Sequence, residues 1–228
     1  MVVRGYMERM PFHPEYYLKK VMRLHHDRSV SPDVCIELLG ILHFLPEYLR
    51  CMYLHLWCLG LRISEVCTLK GNAYYQKDDE TWIQVYQTKA KTYKRIPIAE
   101  GLYKIMQVYI RRNNIGSDDY LFTNQNGGAY LTATFREQMK KFCKEQGVDG
   151  GEYLFQSHDY RHTVATFFYD KGASLQSVRD YLGHSYQEMT EQYIDYMPKK
   201  IAKANDEYFK QPGHSLAAGL RKGGKHEG

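Results

Sequence analysis

Apolar and polar positions alternate along most of this chain with a helical period, broken by one extended stretch near the middle. Ser31-Pro32-Asp33 opens the first helix, with Ser31 as N-cap and Pro32 at the first helical position, and the pattern carries it to about His43. Pro46-Glu47 starts a second helix through Leu59. It is apolar nearly all round, which places it in the core, and Gly60 supplies its stop. After a short bend, Ser64 is the expected cap of a small helix over Glu65–Leu69, which leaves Arg62 in the bend.

The extended stretch consists of Thr81–Gln87, rich in aromatic and β-branched residues, and a second short strand over Lys94–Ile98. Between them Thr88–Tyr93 forms a polar turn, so the pair reads as a hairpin with Lys89 and Lys91 at its tip. Helical spacing returns over Glu100–Asn113, Thr132–Gln146, Asp159–Lys171, Ser174–Leu182, Gln187–Tyr196 and Lys199–Phe209. Beyond Gln211 the chain is rich in Gly, Lys and His, has no period, and is expected to be a mobile tail. The fold class expected is mainly α with a small antiparallel β-sheet (α+β).

Composition narrows this picture. The chain has 228 residues, 43% hydrophobic and 25% charged, an ordinary globular profile. No apolar run approaches the roughly 20 residues of a membrane span, and the first residues lack a signal-peptide layout. The five cysteines form no CxxC pair and sit mostly in apolar helical runs, so they read as buried, reduced thiols of a cytoplasmic protein. The net charge of +5 is concentrated in residues 1–30 and 103–150, a mild excess that suits a polyanion partner. Tyrosine occurs 21 times against 9 phenylalanines.

Three short blocks carry candidate chemistry. Ser157-His158-Asp159-Tyr160-Arg161-His162-Thr163 places His158 and Arg161 three residues apart at a helix start, where the positive end of the helix favours an anion. Leu182-Gly183-His184-Ser185 displays His184 just past a helix stop, and Tyr193 follows nine residues later. Gly60-Leu61-Arg62-Ile63-Ser64-Glu65 holds an arginine at a tight helix–helix junction, with a carboxylate three residues on. Each block alone is more often a cap, a loop residue or a surface ion pair.

Taken together and in this order, the blocks resemble the tyrosine recombinase (phage integrase) family over about residues 31–209. Arg62 matches the first arginine of that family's signature, His158 and Arg161 its HxxR box, His184 its LGH block, and Tyr193 the nucleophile. Lys89, eight residues before Pro97, matches the hairpin lysine, with Lys91 as its rival. Tyr160 departs from the usual Leu or Phe, and Thr88-Lys89-Ala90 from the usual Gly-Lys-Gly turn. The resemblance implies the tyrosine recombinase catalytic-domain fold over 31–209. Residues 1–30 would be a linker or the remnant of an N-terminal core-binding domain, and 210–228 a flexible tail.

It also implies site-specific recombination of double-stranded DNA through a 3′-phosphotyrosine intermediate. In that chemistry Arg62 and Arg161 offer planar donor forks to the phosphate. His158 is the candidate base for the Tyr193 proton or a donor to the phosphate, Lys89 protonates the leaving 5′ oxygen, and His184 donates to a nonbridging oxygen. Glu65 buttresses Arg62 or His158. Lys91, Lys94, Arg95, Lys140 and Lys141 are expected to touch DNA phosphates. No metal and no cofactor is expected, since cations of the protein do that work. A homo-oligomer (tetramer) on DNA is expected to form through the helix at 199–209, with no membrane partner, in a cytoplasmic protein of bacterial, phage or mobile-element origin. Tyr186, Tyr196 and Tyr208 are the competing nucleophiles. The alternatives are type IB topoisomerase-like DNA relaxation, a non-catalytic DNA-binding regulator, and a metal site built from His158, His162 and His184.

Overall fold

The computed structural model describes residues 29–87 and 91–183. Seven α-helices and three strands follow in chain order among them: α1 (Pro32–Ile41), α2 (Glu47–Leu59), α3 (Ile63–Cys67), β1 (Tyr74–Lys77), β2 (Glu80–Gln87), β3 (Thr92–Pro97), α4 (Glu100–Arg112), α5 (Thr132–Glu145), α6 (Asp159–Asp170) and α7 (Leu175–Leu182). The helices expected at 187–196 and 199–209, the N-terminal segment 1–28 and the hairpin tip 88–90 lie outside the described residues.

The core is organised on α2. Leu49 and every residue from Cys51 to Leu59 are buried, as the all-round apolar pattern requires. The helix ends where Gly60 adopts the left-handed conformation, φ 59°, and its N–H closes on the Leu56 carbonyl. A side chain there would be strained, and a Cβ would also lie 3.1 Å from Val164 Cβ, because α6 crosses at this point. Ser31 caps α1 through the Val34 N–H, and α1 tightens into a 3-10 turn over Leu42–Phe44 instead of continuing to His43. Ser174 caps α7 through the Ser177 N–H. All five cysteines are buried and unpaired.

The core carries polar pairs of its own. His55 is fully buried, its Nδ1 2.6 Å from the Cys51 carbonyl and its Nε2 hydrogen-bonded to the Tyr74 hydroxyl. Burial pushes the imidazole down to about 4, so the ring is neutral at physiological pH. Tyr160, the departure in the HxxR box, is also fully buried; its hydroxyl pairs with that of Tyr153 at 3.1 Å, which gives the extra oxygen a partner.

The sheet is a three-stranded antiparallel meander, β1-β2-β3. The expected hairpin is present, but its second strand begins earlier, at Thr92, and β1 is an addition that the sequence pattern does not announce. Register places Ile83 opposite Ile96 and Val85 opposite Lys94, with Tyr86 opposite Tyr93 and Gln84 opposite Arg95. The first two pairs face the core and the last two face outward.

Candidate phosphate site

Arg62 does not sit in a passive bend. It is itself the N-cap of α3, and the expected cap, Ser64, lies inside the helix. Glu65 decides this: its Oε2 accepts the Arg62 backbone N–H at 2.9 Å, the reach-back half of a capping box. The other oxygen, Oε1, accepts Arg62 Nη1 at 3.0 Å. Glu65 is therefore 2% exposed and fully engaged, while the Arg62 side chain keeps 29% of its surface. Of the two residues Glu65 was expected to support, Arg62 or His158, its bonds run to Arg62.

Arg161 approaches from α6. It is 2% exposed, and its Nη1 donates to the Gly60 carbonyl at 3.0 Å. Its Nη2 donates to the Leu182 carbonyl. One guanidinium thus ties the end of α2 to the end of α7. Its Nε–H is buried and has no hydrogen-bond partner among the described residues. Burial, and next the repulsion of Arg62, push Arg161 down to about 10, which leaves it charged at neutral pH. His158 is not beside it on the surface. His158 precedes α6, is exposed, and packs its ring edge-to-face on His162 at 4.8 Å, while Arg161 turns inward.

Gly183 ends α7 with φ 68°, and the Gln87 side chain fills the space that a Cβ on it would need. The last described residue before the hairpin tip therefore lies against the last described residue before His184. Lys89, His184 and Tyr193 themselves fall outside the described residues. Among the described residues no three His, Cys, Asp or Glu side chains gather as metal ligands would.

The expected DNA-contacting cations divide. Lys91, Arg95, Lys140 and Lys141 are exposed, with Arg95 bonded to Gln84 at 3.2 Å and Lys141 paired with Glu145 at 3.7 Å. Lys94 is a correction. Strand alternation turns it inward with Val85 and Ile96, its side chain is 11% exposed, and its Nζ is 3.6 Å from Glu65 Oε2. A side chain so placed is part of the arginine site and not of the outer surface. The period of two in Tyr93-Lys94-Arg95-Ile96 carries that signal, and the expectation set it aside in favour of charge.

Two arginines and a lysine thus gather near one buried carboxylate, on a mainly helical domain with a small antiparallel sheet. Positive charge is therefore in excess at this cluster. The phage integrase family model matches residues 29–200, and the chain belongs to this family. Transposase B from transposon Tn554 of Staphylococcus aureus (strain Mu50 / ATCC 700699) is 33% identical over 174 residues, covering 73% of this chain and 27% of the transposase. Tyrosine recombinase XerC of Chlamydia pneumoniae is 25% identical over 162 residues, covering 69% of this chain and 50% of XerC. The chain thus spans about a quarter of the transposase and half of the recombinase.

Among solved structures, the Tn1549 transposon integrase in complex with transposon right-end DNA matches with TM-score 0.62 at 18% identity, covering 96% of this chain and 73% of that one. XerH recombinase bound to its difH substrate matches with TM-score 0.59 at 20% identity, covering 70% and 47%. Both share the fold. The expected mainly-α class with a small antiparallel sheet is the one observed.

Proposed function

We propose that this protein cleaves and rejoins duplex DNA at specific sites, with Tyr193 as nucleophile. The observation that carries the reading is the unpartnered Arg161 Nε–H in a pocket where Arg62 and Lys94 share one carboxylate. A buried donor without an acceptor is costly, and a phosphate oxygen is the acceptor that also offsets the surplus charge. Tyr193 Oη attacks the phosphorus, the P–O5′ bond breaks, and a 3′-phosphotyrosine bond forms. The tyrosine proton passes to His158, and the leaving O5′ takes a proton from Lys89. A partner strand's 5′-hydroxyl then reverses the step. One phosphoester replaces another, so no nucleotide cofactor is consumed.

Arg62 and Arg161 meet the charge that develops on the nonbridging oxygens, and His184 donates to one of them. Glu65 aims Arg62. Lys91, Arg95, Lys140 and Lys141 contact the duplex backbone, so affinity falls with added salt. The helix at 199–209 joins protomers into a tetramer on DNA.

The decisive experiment uses a nicked suicide DNA substrate and covalent adduct as readout. Wild type is expected to form adduct and Tyr193→Phe none; adduct from the variant at the wild-type rate overturns the assignment. Deleting residues 198–228 is expected to impair assembly on DNA more than a single cleavage, and equal loss of both argues against the tetramer contact.

A further inference from the structure

Lys94 stands in a place where the strand pattern calls for an apolar residue. Its neighbours along the inward face of β3 and across the register, Ile96 and Val85, are both buried. A solvated lysine would snorkel its ammonium outward. Here Nζ instead lies 3.6 Å from Glu65 Oε2. The charged groups facing it among the described residues are Glu65 of α3, Arg62 at the cap of α3, and Arg161 of α6. One carboxylate therefore serves three cations.

We propose that Lys94 is a positioning residue of the strand-transfer site, holding the second Glu65 oxygen so that the carboxylate engages the Arg62 guanidinium through one nitrogen only. The inference rests on the reading that Arg62 and Arg161 hold the reacting phosphate.

The geometry supports this division of labour. Glu65 Oε1 meets Arg62 Nη1, while Oε2 is occupied by the Arg62 backbone N–H and by Lys94. A carboxylate that faced Arg62 alone would close a two-pronged pair with its guanidinium, the geometry such groups favour. That would take up the donors a phosphate needs. With Lys94 drawing on Oε2, Arg62 is aimed by its carboxylate and still presents the rest of its fork. The arrangement works against Lys94 itself. Burial, with repulsion from Arg161 and Arg62, outweighs the attraction of Glu65 and pushes its ammonium down to about 8. A lysine kept only for packing would be improved by an apolar replacement.

Adduct formation on a nicked suicide substrate tests the inference in wild type, Lys94→Met and Lys94→Arg, each with thermal unfolding and affinity for uncleaved DNA. Lys94→Met is expected to slow adduct formation at saturating DNA by about tenfold or more, an effect on the reaction step, with affinity changed by less than about threefold. Its unfolding temperature is expected to match or exceed that of wild type. Lys94→Arg, which keeps the cation, is expected to restore most of the rate; wild type is expected to lose activity as Lys94 deprotonates near 8, and Lys94→Arg only at higher pH. A Lys94→Met rate within about twofold of wild type overturns the proposal. So does a rate loss matched by a loss of folding, or an alkaline limb that Lys94→Arg leaves in place. If wild type forms no adduct, strand transfer itself is overturned, and that result is distinct from the others.

Discussion

Two polar centres lie buried in this domain, and they are built on opposite terms. Around His55, every polar atom has a partner: Nδ1 with the Cys51 carbonyl, Nε2 with the Tyr74 hydroxyl, and no charge is left over. Around Glu65, three cations crowd one anion, and a buried Arg161 N–H points at nothing among the described residues. The first centre is closed: it specifies how α2 meets β1 and needs nothing more. The second holds an excess of positive charge among the described residues. Burial is the same in both. What separates structure from function is whether the account of donors, acceptors and charge balances inside the protein.

Substitutions sharpen this contrast by separating loss of rate from loss of stability. The largest effect is expected from Arg161→Ala. Removing one of the two forks proposed to meet the developing charge is expected to cost about 10³-fold in adduct formation, whereas unfolding free energy is expected to fall by only about 1–3 kcal/mol from the orphaned Gly60 and Leu182 carbonyls. Parallel loss of both in single-turnover and urea experiments breaks the distinction.

The His55 centre is expected to respond to acid. Its folded value near 4 lies below the ordinary imidazole value of 6.5, so below pH 6.5 the unfolded chain binds a proton that the folded chain refuses. The stability it confers is complete above 6.5 and is lost as pH falls toward 4, on the order of 3 kcal/mol in all. Urea midpoints measured against His55→Asn over that range check it, and parallel curves sink it. Tyr74→Phe strips one partner from His55 and is expected to cost about 1–3 kcal/mol of stability, with adduct formation per folded molecule unchanged. The smallest effect is expected from Gly183→Ala. A left-handed alanine costs about 1 kcal/mol, and the displaced Gln87 is expected to slow cleavage more than that cost alone accounts for.

Much of this was legible in the chain, and the failures have physical causes. Apolarity from Tyr48 to Leu59, interrupted only by Arg50 and His55, with Gly60 after it, announces α2 and its left-handed stop. The Arg62, Glu65, His158 and Arg161 positions were picked out by the resemblance of the ordered blocks to the integrase family, and the structure brings Arg62, Glu65 and Arg161 together. β1 escaped because Tyr74–Lys77 is four residues long, half polar, and extended only because β2 pairs with it. Ser64 was the better cap by residue type, but Glu65 reaches back to Arg62 and moves the start of α3 forward. Lys94 was read by its charge when its strand parity carried the information. The bonds of Arg161 to two helix-end carbonyls are tertiary, and no local pattern encodes them.

The site also has an order of assembly written into its sequence separations. Arg62 and Glu65 are three residues apart, and Lys94 joins them through one short meander. Arg161 reaches Gly60 across 101 positions and arrives only with α6. Short closures precede long ones, because the entropy of closing a loop grows with its length. A chain still emerging from synthesis, or clipped before α6, thus carries the cap, its carboxylate and its lysine without the second guanidinium. On the proposed reading, a half-made molecule lacks the guanidinium that would complete the grip on a phosphate, so strand cleavage would await the finished domain.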